Sequence, residues 1–338
     1  MTTTSPRPSA SDHRPAGPAA TVPETGMHVV TLGTAAGPAV RGQRTGISTA
    51  VVVDGNVYIV DCGLGMVRQA ARAGLTMDRL RGVFLTHLHS DHISDLPGLL
   101  LYNWGPAVSG FTEPFVIAGP GPAGLPEGST VHVEPAGGGT SQLVAHLLST
   151  YAYDINTRIN DESRPPLPEL VRARDIELPP TVTADPDHQL CPDMEPFEVY
   201  ADDHVRVLAT LVDHPPVFPS FAYRFDSAHG SVVVSGDTKE HANVVRLAQG
   251  ADILVHEAID IDPYLLRGLP EKFMAHLTRS HTDLRGAGRV AAAAQVGRLV
   301  LSHLAGINGD EDAGPTREVF PQTVVAEDGQ VFSLTRGR

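Results

Sequence analysis

The sequence predicts an α/β sandwich in which two mixed β-sheets pack face to face and carry helices on their outer sides. Three observations lead there. Apolar and β-branched runs of strand length fall into two groups, from Met27 to Ala118 and from Phe197 onward, each followed by helical patterns. Within the first group Asp54-Gly55 separates two such runs, which is the strongest short hairpin signal. Ligand-type side chains then stand where several of the strands stop, as when loops on a rigid scaffold carry the function.

Taken in order, residues 1–26 are rich in Thr, Ser, Pro and Ala with no apolar segment, and read as a disordered tail rather than a signal peptide. The remainder, 27–338, reads as a single domain with an insertion at about 141–196. Met27 to Leu32 is the first strand, and Gly33 to Gly46 is a Gly-rich loop carrying Arg41 and Arg44. Ser48 to Val53 and Asn56 to Val60 form the hairpin, Asp61 to Gly65 breaks the strand, and Met66 to Gly74 is a short helix. A buried strand over Gly82 to Thr86 follows, then a helix over Leu96 to Trp104 and a strand over Pro114 to Ala118.

Gly119 to Gly124 looks superficially like a phosphate cradle but lacks the strand, glycine and helix context and the lysine of a P-loop. Ser141 to Asp161 is helical, with Leu143, Ala145, Leu147, Leu148 and Tyr151 on one face, and Pro165 to Pro196 reads as an irregular acidic segment. The second half restarts with strands over Phe197–Tyr200, Val205–Val212, Phe221–Phe225 and Ser231–Ser235. Helices over 240–249 and Leu284–Ala294 and strands over Asp252–Val255 and Arg298–Leu301 complete the pattern.

A net charge of −14 argues against a general polyanion binder, because phosphate contacts need clustered Lys and Arg. The two cysteines, Cys62 and Cys191, make no disulfide framework and fit a reducing, cytoplasmic setting. Nothing approaches the roughly 20 apolar residues of a membrane span.

The chemistry concentrates in Thr86-His87-Leu88-His89-Ser90-Asp91-His92. In an extended stretch, side chains at i and i+2 point the same way, so His87 and His89 can grip one cation. Asp91 and His92 fall where the chain must turn and can reach a second. Neutral imidazole with carboxylate suits zinc and other first-row divalent metals. Three later residues stand at strand ends in the same manner: His214, Asp237 in Ser235-Gly236-Asp237-Thr238, and His303 after Leu299-Val300-Leu301-Ser302.

This order, HxHxDH, a lone His, SGD and a final His after an apolar strand, resembles the metallo-β-lactamase superfamily from about Met27 to Gly306. The resemblance implies an αββα sandwich. By position it also implies one metal held by His87, His89 and His214, a second held by Asp91, His92 and His303, and Asp237 bridging the two. Two divalent ions, zinc first and manganese or iron as alternatives, would make the chain a hydrolase in which a metal-bound hydroxide attacks the substrate.

Ala251-Asp252-Ile253-Leu254-Val255-His256-Glu257-Ala258 and Ser280-His281-Thr282 are similar to the branch holding tRNase Z, phosphodiesterases and arylsulfatase-like hydrolases. That likeness implies that Glu257 orients His281, which with Asp91 completes the catalytic set, His281 serving the leaving oxygen as general acid. His276 competes for that role, and His281-Thr282 as a simple helix cap is the structural alternative. The motif around His303 looks most like the arylsulfatase-like group. Leu304 replaces the serine that tRNase Z has there, and the 165–196 segment is acidic where tRNase Z carries a basic arm.

The expected substrate is therefore a small anionic ester: an aryl sulfate, a phosphodiester or a relative, clamped by Arg41 and Arg44. A tRNase Z-like endoribonuclease and an enzyme acting on a lactone or other acyl group are the alternatives. Nucleic acid is disfavoured as a partner and a membrane is excluded. Tyr151, Tyr153, Asp154 and Arg158 mark the helical insertion as a cover for the site or a dimer surface, and a homodimer is expected.

Overall fold

The computed structural model describes residues 22–334 apart from 43, 126, 131–132 and 134–137. The disordered tail expected over 1–26 lies outside the described residues as far as 21. From there the chain is engaged: Val22 packs on the core and the backbone N–H of Gly26 donates to Asp54.

In chain order the first half runs β1 (Met27–Gly33), β2 (Ser48–Val53), β3 (Asn56–Val60), α1 (Met66–Arg72), β4 (Leu80–Phe84), α2 (Ser90–Ile93) and α3 (Leu96–Tyr102). Next come β5 (Phe115–Pro120), α4 (Thr140–Thr150), α5 (Ala152–Glu162), α6 (Leu167–Leu170) and β6 (Val171–Ile176). The second half runs β7 (Phe197–Ala201), β8 (Arg206–Leu211), β9 (Phe221–Ser227), β10 (Gly230–Val234), α7 (Ala242–Ala248) and β11 (Ile253–Ile259). It continues with α8 (Asp262–Leu265), α9 (Glu271–Ser280), α10 (Leu284–Ala294), β12 (Arg298–Ala305), α11 (Gly314–Val319), β13 (Thr323–Val325) and β14 (Gln330–Leu334).

These strands form two mixed seven-stranded sheets, in the orders β14-β1-β2-β3-β4-β5-β6 and β13-β12-β11-β10-β9-β8-β7. The β2–β3 hairpin turns at Asp54 and Gly55 with φ of 48° and 77°, the paired positive values that the Asp-Gly sequence supplies. Alternation sorts the side chains. In β2, Val51 and Val53 face the opposing sheet while Ala50 and Val52 face the outer helices. Both faces are covered, which is why the central strands read as unbroken apolar runs.

Phe84 sits at the centre of the inter-sheet layer, its ring 5.6 Å from Tyr223 and 5.3 Å from Phe225. Phe84→Ala is expected to cost about 3–5 kcal/mol, because a rigid two-sheet core cannot close over the gap. Chemical denaturation read by fluorescence checks this, and a loss below ~1 kcal/mol would contradict it.

Three sequence expectations change. The helix read over Ser141 to Asp161 is two helices, α4 and α5, divided at Tyr151. Residues 165–196 are not irregular throughout: α6 and β6 lie within them, and β6 pairs with β5 in parallel along six residues, Val171 to Ile176. The Pro, Asp and Glu around it mask the short alternating pattern of β6. Helix α9 is an addition that the sequence pattern does not announce. Among the described residues no helix is long and apolar enough to cross a membrane.

Candidate metal centre

Strand β4 delivers the chain to the edge of the sandwich, where Asp61, at the end of β3, anchors the histidine motif. Its carboxylate accepts from the Thr86 N–H and Oγ1, both at 2.8 Å, and pairs with His92 Nδ1 at 2.8 Å. The extended stretch ends at His89, where α2 begins and turns Asp91 and His92 toward the same space. His214 follows β8, Asp237 follows β10, and His303 lies within β12 at a φ of 47°.

Two triads result. Ligand atoms of His87, His89 and His214 lie within 4.8 Å of one another, and those of Asp91, His92 and His303 do likewise. Asp237 lies between them with one oxygen for each. Its Oδ2 is 3.9 Å from His87 Nε2 and 3.9 Å from His214 Nε2, while Oδ1 is 3.3 Å from His92 Nε2 and 3.3 Å from His303 Nε2. The residues expected from the sequence to hold two metals are thus neighbours in space.

The donor set fits divalent cations on two grounds. His92 Nε2, Asp237 Oδ1 and His303 Nε2 are buried with no hydrogen-bond partner, yet converge on one another. Ligand atoms around a cation at about 2.0–2.1 Å sit roughly 3.3 Å apart in tetrahedral geometry, which is the spacing found. The second ground is protonation. Burial holds His87 and His89 below the usual imidazole range and pushes His214 down to about 3, leaving lone pairs free for a metal. Burial disfavours charge on His92 too, but Asp237 and Asp61 draw a proton onto it, and a cation would take that proton's place. Asp237 stays ionised despite burial because His303, His92 and His87 surround it.

Outer contacts fix the rings. His87 Nδ1 lies 3.1 Å from Thr86 Oγ1, and His214 Nδ1 lies 2.9 Å from the Ser280 carbonyl, so each presents Nε2 inward.

On the adjoining wall, His281 Nδ1 lies 3.0 and 3.1 Å from the two Glu257 oxygens. Glu257 Oε1 also accepts from the Thr238 N–H at 2.6 Å. Burial works against charge on His281, but Glu257 prevails and raises it to about 9. The N-terminal cap of α10 is Asp283, whose side chain accepts from the Gly286 N–H, so His281-Thr282 does not cap that helix; His281 instead closes the end of α9. His276 lines the same cavity, with Nδ1 3.1 Å from Ser280 Oγ.

That cavity, about 230 Å³, opens over Asp91, Asp237 and His303 and is walled by Tyr264, Phe273 and Leu277. Arg41 borders it, its guanidinium donating to the Ala36 carbonyl at 3.0 Å and to the Tyr264 hydroxyl at 2.6 Å. Arg44 is turned aside, donating to Thr34 Oγ1, the Ala326 carbonyl and the Asn308 carbonyl. Tyr151, Tyr153, Asp154 and Arg158 stand apart from the cavity, on helices that lay Leu143, Leu147 and Ile155 against the outer face of the first sheet. Sequence reasoning missed the wall formed by α8 and α9, although Phe273 and Leu277 stand at i and i+4 on one helical face. It also missed Asp61, whose signal was a lone carboxylate ending a buried strand.

Residues 42–139 match the family described as the metallo-beta-lactamase superfamily. A ribonuclease Z of Mycobacterium avium is 34% identical over 277 residues, which is 82% of this chain and 85% of that protein. Among solved structures, human tRNase Z, short form, aligns with a TM-score of 0.60 and 21% identity, over 92% of this chain and 100% of that one. A diphosphatase from the PhnP family aligns with a TM-score of 0.54 and 16% identity, over 91% of this chain and 99% of its own. The fold and the matched sequence define a metal-dependent hydrolase acting on ester bonds. The chain belongs to the metallo-β-lactamase superfamily.

Proposed function

We propose that the protein is a two-metal phosphodiesterase acting on a small anionic diester. The observation that carries this reading is Asp237 facing both triads, with the His281–Glu257 pair on the same cavity wall. His87, His89 and His214 would hold one ion, Asp91, His92 and His303 the other, and zinc suits this nitrogen-rich set. Bound there, divalent ions activate water near neutral pH and offset charge developing on the phosphoryl oxygens.

The chain's own residues then divide the remaining work. Glu257 fixes the His281 tautomer, keeping a proton on the imidazole where a leaving oxygen can collect it. Arg41, tied to Tyr264, sits where it can meet a phosphoryl oxygen. Tyr264, Phe273 and Leu277 exclude water and give the alcohol portion an apolar surface.

His281→Ala is expected to slow hydrolysis of diesters with poor alkoxide leaving groups by about 10²–10⁴-fold while sparing activated nitrophenyl esters. A leaving-group series measured at fixed pH checks this, and equal loss across the series would refute the acid role.

A second reading, 3′-processing of precursor tRNA, is favoured by the 34% identity to a ribonuclease Z over 82% of the chain. Charge speaks against it: no Lys or Arg occurs between Arg81 and Arg158, the stretch that contains the histidine motif, and the net charge is −14. The deciding experiment incubates metal-loaded protein with bis(4-nitrophenyl) phosphate, 4-nitrophenyl sulfate and a 3′-extended precursor tRNA. Diester hydrolysis with intact tRNA is expected. Preferred cleavage of the tRNA would establish the second reading, and turnover of the sulfate alone would overturn the phosphodiester.

A further inference from the structure

We propose that one ordered water sits between the two sheets, behind the second triad, and holds His303 in position. The inference rests on His303 as a metal ligand. A histidine that binds a cation through one ring nitrogen donates its other N–H to an acceptor, which fixes tautomer and ring plane. His87, His92 and His214 have such outer partners in Thr86, Asp61 and the Ser280 carbonyl.

His303 differs. Its Nε2 faces Asp91 at 3.5 Å and Asp237 at 3.3 Å, so Nδ1 is directed away from the cluster. That Nδ1 is buried and has no hydrogen-bond partner. Against the residue lies a space of about 20 Å³ that adjoins the second triad, lined by Thr49, His256, Ser302 and His303 and also by His92 and Asp237. A cavity needs roughly 10–15 Å³ to hold one water, so this one has room for it.

Thr49 Oγ1 and Ser302 Oγ are likewise buried without a partner. Strand alternation turns both inward, since Thr49 stands two residues before the inward Val51 and Ser302 two after the inward Val300. With His256 Nε2, which is also unpartnered and whose residue lines the same space, four such atoms are at hand to supply the two to four contacts that a buried water makes. The water accepts from the His303 Nδ1–H and meets the two hydroxyls. The sheet facing His303, through Thr49 on β2, thereby helps to aim a ligand carried on β12.

The test is a high-resolution crystal structure of the zinc-loaded protein, together with zinc retention against a competing chelator in Thr49→Val, Thr49→Ser and Ser302→Ala. One density peak within hydrogen-bond distance of His303 Nδ1 and the two hydroxyls is expected. Thr49→Val and Ser302→Ala should each loosen zinc by about 10–100-fold, the range for outer partners of ligand histidines, with Thr49→Ser near the parent. A dry cavity, or a Thr49→Val protein that melts higher with zinc retention unchanged, would overturn the proposal. Density in the parent protein decides the matter even if a variant does not fold. Zinc missing from His303 with the water in place would overturn the ligand reading and leave the water standing. Zinc present without the water would do the reverse.

Discussion

Asp237→Asn is expected to lower kcat/KM for bis(4-nitrophenyl) phosphate by on the order of 10³-fold or more, since it removes the charge that faces both triads. The amide preserves the shape and keeps one oxygen, so that only one triad can be served by an acceptor. Its NH₂ group would point a hydrogen at the other triad, where His92 and His303 stand 3.3 Å from the present oxygen. Metal content measured by elemental analysis should fall with activity while thermal melting of the metal-free protein changes little. Retained activity within tenfold of the parent would show that the carboxylate does not link the two positions.

Gly37→Ala is the second large effect, and it replaces no proposed ligand. The Gly37 N–H donates to Asp91 Oδ2 at 3.0 Å, and the loop lies so close that a Cβ on residue 37 would stand 2.2 Å from Asp91 Cβ. Either the loop lifts or Asp91 leaves its place. A displacement near 1 Å in such a constellation costs on the order of 10²-fold in rate. The expected variant therefore folds, loses about that much activity and retains less metal than the parent. A crystal structure with Asp91 unmoved, or full activity, would sink the idea that this glycine positions the carboxylate.

Much of this architecture was legible from local pattern. The Asp54-Gly55 turn, the α10 helix over Leu284–Ala294 and the strand ends before His214 and Asp237 come from turn chemistry, periodicity and run length, whereas β12 runs on past Leu301 to Ala305 and carries His303 within it. Those signals are short-range and survive any tertiary setting. What escaped depends on partners far away in the chain. Strand β6 is defined by pairing with β5 across the three intervening helices α4, α5 and α6, and its own residues carry little strand character. The cavity wall at Tyr264, Phe273 and Leu277 has no chemistry that marks it, because apolar residues acquire a role only when folding sets them beside a polar centre. Arg44 shows what a loop arginine leaves open from sequence: it suggests anion binding, but three of its N–H groups are given to Thr34, Ala326 and Asn308.

The pairing of β1 with β14, Met27 opposite Leu334, also bears on how the molecule is made. β1 takes its outer neighbour from β14, a loop closure spanning nearly all the described residues and correspondingly slow to form. Until Gln330–Leu334 have been made, β1 presents an open edge, with Val29 and Val30 on a strand otherwise ready to pair. A nascent chain stalled or cut before Gln330 would carry every histidine of the metal centre and still expose that edge to self-association.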